Sequence, residues 1–498
     1  MPSPVTRSDA ATHLGAPARV SAHGWGWRHA GRRAWAVRGL DVTIEPGERV
    51  LLLGPSGSGK STLLAGLAGV LGGADEGETS GALRIDGEAP GAARGRVGLV
   101  LQDPESHAVM ARVGDDVAFG PENLGVPRDE IWARVASSLD AVGLAVGHEH
   151  STSALSGGQK QRLALAGVLA MRPGVLLLDE PTANLDPEGA REVRNAVAEV
   201  LDRTRATLLV VEHRVELWHE LVDRVLVLGA DGALLADGAP DRILDERGAE
   251  LAAGGVWVPG HEPRITRRPD ADDDSVVLST AGLQVARERG RPLPWSLDTA
   301  FAAGDTVALV GPNGVGKSTL ALTLAGLVPP ATGELRVSPG LAAGLEAAPH
   351  RWRSRELLTR LGMVFQAPEH QFVATTVRDE LAVGPRSLGV PAEEVDARVG
   401  ELLERLGLAA LAGANPFTLS GGQKRRLSVG TALATRPRVL ILDEPTFGQD
   451  ALSWASLVDL IDEVRASGRL IIAASHDEHF VREAATTELR LALAEETS

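Results

Sequence analysis

A glycine-rich loop set between an apolar run and a helical pattern occurs twice in this chain, and the duplication constrains the fold more than any other feature. Gly54-Pro-Ser-Gly-Ser-Gly-Lys-Ser61 follows Val50–Leu53 and opens a helix expected over 61–68; Gly311-Pro-Asn-Gly-Val-Gly-Lys-Ser318 follows Thr306–Val310. The spacing G-x-x-x-x-G-K-[ST] lets backbone N–H groups converge on phosphates at a helix N-terminus, where the dipole also favours anions. Gly54, Pro55, Ser56, Gly57, Ser58, Gly59, Lys60, Ser61 and Thr62 are therefore candidate phosphate-binding residues. So are Gly311, Pro312, Asn313, Gly314, Val315, Gly316, Lys317, Ser318 and Thr319. Lys60 and Lys317 are two of only four lysines in a chain that otherwise uses arginine. A slim, mobile ammonium suits the space between two phosphates where a planar fork does not. The other two, Lys160 and Lys424, sit in a second repeated motif, where an exposed helical position accounts for them.

The repeat runs through both halves. Lys60 and Lys317 stand 257 positions apart, the pairs Gln102/Gln366, Ser156/Ser420 and Asp179/Asp443 stand 264 apart, and His213/His476 stand 263 apart. The second half thus carries an insertion before Gln366, best placed in the Gly/Ala/Pro-rich stretch Ser338–His350. A period this long is a duplicated domain, not a solenoid. The expected organisation is a flexible tail (1–19), a first domain (20–258), an exposed linker mixing Pro, Arg and Asp (259–275) and a second domain (276–498).

Composition narrows the class. No apolar run approaches the ~18–20 residues that span a bilayer, and Met1 to Arg19 lacks the apolar core of a signal peptide. The absence of cysteine excludes disulfides and thiolate metal sites, which fits a cytoplasmic protein. A formal net charge of −16 argues against a nucleic-acid partner.

Short apolar runs precede each chemical motif: Val175–Leu178 and Val439–Leu442 lead to Asp-Glu pairs, Leu208–Val211 and Leu470–Ala474 to histidines. Runs of this length suit strands buried on both faces of a parallel sheet, with helices between them, giving a three-layer α/β fold with its chemistry at strand carboxyl ends. Ser61 and Ser318 are positioned to ligate Mg²⁺, and Asp179 and Asp443 to hold it through water. Glu180 and Glu444 follow directly, point elsewhere and are candidate general bases. His213 and His476 are candidate γ-phosphate contacts that hold the water and glutamate in place. Gln102 and Gln366, each after a strand, are candidates for touching metal and water. Leu155-Ser-Gly-Gly-Gln-Lys160 and Leu419-Ser-Gly-Gly-Gln-Lys424 place Ser156, Gly158, Ser420 and Gly422 at helix starts, a second anion site in each half. A head-to-tail pair, in which each such motif faces the other half's glycine-rich loop, gives both anion sites one purpose.

This ordered set resembles the ABC ATPase family, twice, over nearly the whole chain. The resemblance implies two tandem P-loop NTPase (ABC ATPase) domains, each a three-layer α/β core with a helical signature subdomain, binding ATP and Mg²⁺. It implies that Lys60, Ser61, Gln102, Asp179, Glu180 and His213 act with Ser420 and Gly422. Lys317, Ser318, Gln366, Asp443, Glu444 and His476 would act with Ser156 and Gly158, so that both sites hydrolyse ATP.

Three classes share the double architecture. A ribosome-associated ABC translation factor typically has a long charged helical connection between halves, whereas this linker is short, acidic and Pro-containing. A fused sugar-importer ATPase usually has an altered second P-loop, and this one is intact. Gln366-Ala-Pro-Glu-His-Gln371 with the stretch to Gly384, the region from Gln102 to Leu124, and Pro445-Thr-Phe-Gly-Gln-Asp450 resemble energy-coupling factor (ECF) importer ATPases. That resemblance implies an ATPase driving vitamin, thiamine-precursor or transition-metal uptake. Its partners would be a transmembrane T-type coupling protein and a small substrate-binding membrane protein, with the chain peripheral on the cytoplasmic face of the cell membrane. Trp27, at 33 residues before Lys60, fits the family's adenine-stacking aromatic. Gln284 holds that place in the second half, where Trp295 is the next aromatic and Arg287 is a substitute. His107 stands where the second half has Gln371.

Overall fold

The structure is a computed structural model describing residues 15–73, 75–93, 95–102, 107–183, 185–269, 275–286 and 291–492. It forms two compact units that meet in sequence at Glu262 and Pro263.

In the first unit five parallel strands lie in the order Val97–Val100, Val175–Asp179, Thr207–Val211, Arg49–Leu53 and Arg224–Leu228, and Leu234–Gly238 adds antiparallel at the edge. Val175–Asp179 and Thr207–Val211 are buried at every position, which explains their unbroken apolar sequence: both sheet faces are covered. This strand order brings the carboxyl ends carrying the glycine-rich loop, the Asp-Glu pair and the histidine side by side, where ligands bind in open α/β sheets. The second unit repeats the order as Leu361–Val364, Val439–Asp443, Leu470–Ala474, Thr306–Val310 and Thr487–Arg490, all parallel.

Each unit adds a three-stranded antiparallel sheet that the sequence did not announce: Val37–Ile44, Val20–His29 and Gly77–Ile85 in the first, Leu297–Ala302, Val276–Gln284 and Thr332–Val337 in the second. The central strand of each is broken by register shifts, between Ala22 and Trp27 and between Thr280 and Leu283 among others. A bulge resets the side-chain alternation, so the period of two that marks a half-buried strand disappears from the sequence.

The helical subdomain of the first unit comprises Val113–Asn123, Arg128–Ala141 and Gly157–Ala170; Val377–Ser387, Ala392–Arg405 and Gly421–Ala434 are its counterparts. The expected insertion is a small helical excursion: Ser338 caps the helix Pro339–Ala342 by accepting the Leu341 N–H, and a second short helix covers Ser354–Leu357.

The connection expected to be exposed is partly anchored. Arg268 donates its backbone N–H to Asp462 (2.8 Å) and its guanidinium to Asp459 (2.9 Å) on the helix Ala451–Ala466. The reason is electrostatic: Asp462 is only 1% exposed and also receives Arg465 at 2.8 Å, so a buried carboxylate draws the linker onto the second unit. The acidic run at 270–274 lies outside the described residues, as does the tail through residue 14. Among the described residues no helix is long and apolar enough to cross a membrane.

Candidate functional site

Both glycine-rich loops require glycine for reasons visible in the backbone. Gly59 and Gly316 take φ of 92° and 109°, and a Cβ on Gly59 would lie 2.1 Å from the Ala36 carbonyl oxygen. The helices Lys60–Leu67 and Lys317–Leu324 then begin with no side-chain cap, so their first-turn N–H groups face outward for an anion. Lys60 Nζ donates to the carbonyls of Gly54 (2.7 Å) and Pro55 (3.0 Å), and Lys317 repeats this on Gly311 (2.8 Å) and Pro312 (3.1 Å). Each ammonium is thus fixed across the mouth of its own loop.

Asp179 ends its strand 8% exposed and accepts a hydrogen bond from the Ser61 hydroxyl; Asp443 and Ser318 do the same. Burial, helped by the neighbouring Glu180, pushes Asp179 from 3.8 to about 6 against the opposing pull of Ser61 and Lys60. Burial also raises Asp443. Such a carboxyl binds its proton more tightly folded than unfolded, so its burden on stability is absent at low pH and grows as pH rises from 3.8 to about 6. Asp179→Asn is therefore expected to stabilise the first unit at neutral pH by roughly 2–3 kcal/mol, a gain in Tm of about 5–10 °C. Melting curves at about pH 7.5 and about pH 4 check it, the gain shrinking several-fold at the lower pH.

Glu180 and Glu444 both lie in the left-handed region, at φ 48° and 51°, a conformation that costs a non-glycine residue on the order of 1–3 kcal/mol and turns each side chain away from the preceding aspartate. Glu180 Oε2 accepts from Gln102 Nε2 (2.7 Å) and its Oε1 meets His213 Nε2 (3.2 Å), so three candidates from three strand ends converge. In the second unit Glu444 meets the His476 N–H (3.3 Å) and Nε2 (3.5 Å), with no matching bond from Gln366. The electrostatics diverge accordingly. Burial resists ionisation of Glu180, but His213 and Lys60 outweigh it and hold the carboxyl below its usual range. At Glu444 burial wins, reinforced by Asp443, and the carboxyl is pushed to about 8.

Ser156 and Ser420 each begin the following helix with a capping box. The serine Oγ accepts from the Gln159 or Gln423 N–H while that glutamine's Oε1 accepts the serine N–H (2.9 and 3.1 Å). The glycines that follow have no side chain to obstruct the helix start. Lys160 and Lys424 are half-buried on these helices, not exposed.

The aromatic candidates rearrange. Trp27 is 6% exposed within the core of the first unit, its indole N–H bonded to His29 Nδ1 (3.2 Å). The exposed group beside the phosphate loop is His29, whose Nε2 lies 3.2 Å from the Thr62 hydroxyl. Trp295 corresponds to Trp35, each two positions before its strand, and donates its indole N–H to Val315 (2.8 Å) inside the second loop. Spacing from the lysine could not reveal this, because it does not say which face of a bulged strand a residue occupies. Arg287 and the stretch 103–106 lie outside the described residues. His107 accepts the Leu101 N–H, whereas Gln371 donates to Ser428 and Thr431, so the two positions are bonded differently.

Two acids escaped the sequence reading. Glu212, just before His213, accepts the Thr182 N–H (2.9 Å) and hydroxyl. In the second unit Asp477, just after His476, takes the Thr446 hydroxyl (2.7 Å) and the Trp454 indole (2.6 Å). Comparing the repeats at Val-Glu-His-Arg and Ala-Ser-His-Asp would have flagged the displaced acid.

The sequence profile described as ABC transporter matches residues 37–183 and 296–447. The chain is 35% identical over 485 residues, 91% of its length and 86% of the relative's, to the putative HMP/thiamine import ATP-binding protein YkoD of Bacillus subtilis. It is 36% identical over 514 residues, 92% of its length and 90% of the relative's, to a putative ABC transporter ATP-binding protein of Streptomyces avermitilis. Among solved structures, RNase-L Inhibitor aligns with a TM-score of 0.58 over 93% of this chain and 87% of that one, at 20% identity, a likeness of fold alone. With a family match in each unit and that identity along the length, the chain belongs to the ABC transporter family, as an ATPase with two repeated nucleotide-binding domains.

Proposed function

We propose that the protein is the energy-coupling ATPase of an ECF-type importer. In this reading two Mg-ATP are sandwiched head to tail, each between one domain's phosphate loop and the other's signature serine and glycine. The observation that carries the reading is that each domain holds an intact phosphate loop, a serine–aspartate pair and a glutamate–histidine pair at adjoining strand ends. Similarity along nearly the whole length to a relative named for HMP/thiamine import favours a thiamine precursor as the cargo, within a class that also takes other vitamins and transition metals.

In each centre the loop N–H groups and Lys60 or Lys317 bind the β- and γ-phosphates. Glu180 takes a proton from the attacking water, Glu444 does so in its ionised form, and His213 or His476 holds that carboxylate in place. His29 is proposed to border the first adenine, with the buried Trp27 bonded behind it. The donor set suits Mg²⁺: a serine hydroxyl and a buried carboxylate that lacks a full counter-charge are hard oxygen groups. Ser61, Gln102 and Asp179 would hold it in one centre, Ser318, Gln366 and Asp443 in the other. Its charge would neutralise the phosphate oxygens.

The partners proposed are a transmembrane T-type protein and a small substrate-binding membrane protein, with this chain peripheral on the cytoplasmic side. Affinity purification of the tagged chain from its own cells should recover both membrane proteins, and the complex in liposomes should take up HMP only with ATP inside the relevant compartment. Recovery with ribosomes and without membrane proteins would overturn the importer reading.

A further inference from the structure

The two signature helices differ where they pass beneath their own hydrolytic centres. In the second domain Arg425, 3% exposed, donates to the carbonyls of Phe365 (2.9 Å), Gln366 (2.6 Å) and Asp443 (3.3 Å), and its guanidinium lies 6.0 Å from the Phe447 ring centroid. None of these three bonds goes to a carboxylate. Its hydrogen bonds all go to neutral carbonyls, and Glu444, Asp443 and Glu369 balance the charge only through space, an arrangement with a large desolvation cost. The matching position in the first domain is Gln161, equally buried, and its Nε2 finds no acceptor. One turn away the contrast recurs. Gln449 donates to the Gly422 carbonyl (2.9 Å) and accepts from Arg426 (3.0 Å), whereas the first domain has Leu185 in place of Gln449.

We propose that Arg425 is a positioning residue that latches the signature helix of the second domain to the backbone carrying Gln366 and Asp443, and that the first domain has no such latch. The three carbonyls belong to two different strand ends, so the guanidinium fixes the spacing between the residue that reaches the water and the residue beside the general base. Arginine suits this task because its planar fork directs several N–H groups at once, which an ammonium does not. The two centres are thereby unequal: the second works only with its Gln366 loop held, and the first relies on the Gln102–Glu180 bond instead.

The inference rests on assigning Gln366 and Glu444 to the second hydrolytic centre, and the experiment separates the two ideas. Glu180→Gln leaves the second centre working and Glu444→Gln the first; if either single variant keeps full turnover, that assignment fails. Within these backgrounds Arg425→Gln should lower kcat of the second centre about tenfold, as expected for a small misplacement of catalytic groups, with KM for ATP changed less than about twofold. The first centre should lose less than about twofold. Equal losses at both centres, or none at the second, would overturn the latch. Amide exchange supplies an independent readout in the full chain. The Gln366 amide should exchange about tenfold more slowly than that of Gln102, Arg425→Gln should erase the difference, and Gln161→Arg should slow Gln102. Equal exchange in the unaltered protein, or no slowing on Gln161→Arg, would also overturn it.

Discussion

Replacing both Glu180 and Glu444 with glutamine is expected to reduce steady-state ATP hydrolysis by about 100-fold or more, the range lost with a general base, while ATP binding stays within about twofold. Glutamine keeps the shape of glutamate and faces the same left-handed backbone cost, so the φ of 48° and 51° survive and the fold with them. What disappears is the ability to accept a proton. The amide also keeps one acceptor oxygen where the carboxylate offered one to Gln102 and one to His213. Phosphate release measures the loss, and the nucleotide retained after rapid gel filtration should be uncleaved ATP. Turnover within about twofold of the parent would remove both glutamates from the chemistry.

The second large effect is at the phosphate-loop lysines. Lys60→Arg or Lys317→Arg should weaken ATP binding to the altered centre by about 10- to 100-fold, because an arginine fork is not a substitute for a point charge in a narrow site. Lys60 is 7% exposed and its Nζ sits between two backbone carbonyls, with Gly59 already pressed toward the Ala36 carbonyl. A wider planar group has no room there without opening the loop. Titration with a fluorescent ATP analogue gives the result directly, and an unchanged melting temperature in the absence of nucleotide separates lost binding from lost folding. Wild-type affinity in Lys60→Arg would show that the ammonium does not bind phosphate.

The parts of these centres that were legible in the sequence are those whose chemistry is local. A glycine forced to positive φ, a serine that caps its own helix and an aspartate ending a fully buried strand each announce themselves within a few residues. The bulged antiparallel sheets did not, because each register shift erased the alternation that marks a strand. Trp27 has the spacing of a stacking platform but the environment of a core residue, and only packing distinguishes the two. Glu212, Asp477 and Arg425 act through threonines and carbonyls supplied by distant segments, so no spacing within their own motifs exposes the role. Arg268 looked like part of a solvated linker until Asp462, nearly two hundred positions away, supplied its partner.

The capping boxes at Ser156 and Ser420 carry one more consequence. Because each serine Oγ spends one of its two lone pairs on the N–H of Gln159 or Gln423, its hydrogen is left to donate, beside the first-turn N–H groups of the following glycines. The helix start therefore presents mainly hydrogen-bond donors to whatever approaches. It is a polarity filter: it admits the oxygen of a phosphate and disfavours a hydrated cation, whose waters also present hydrogens. Exchanging either serine for aspartate would keep the cap and reverse the filter.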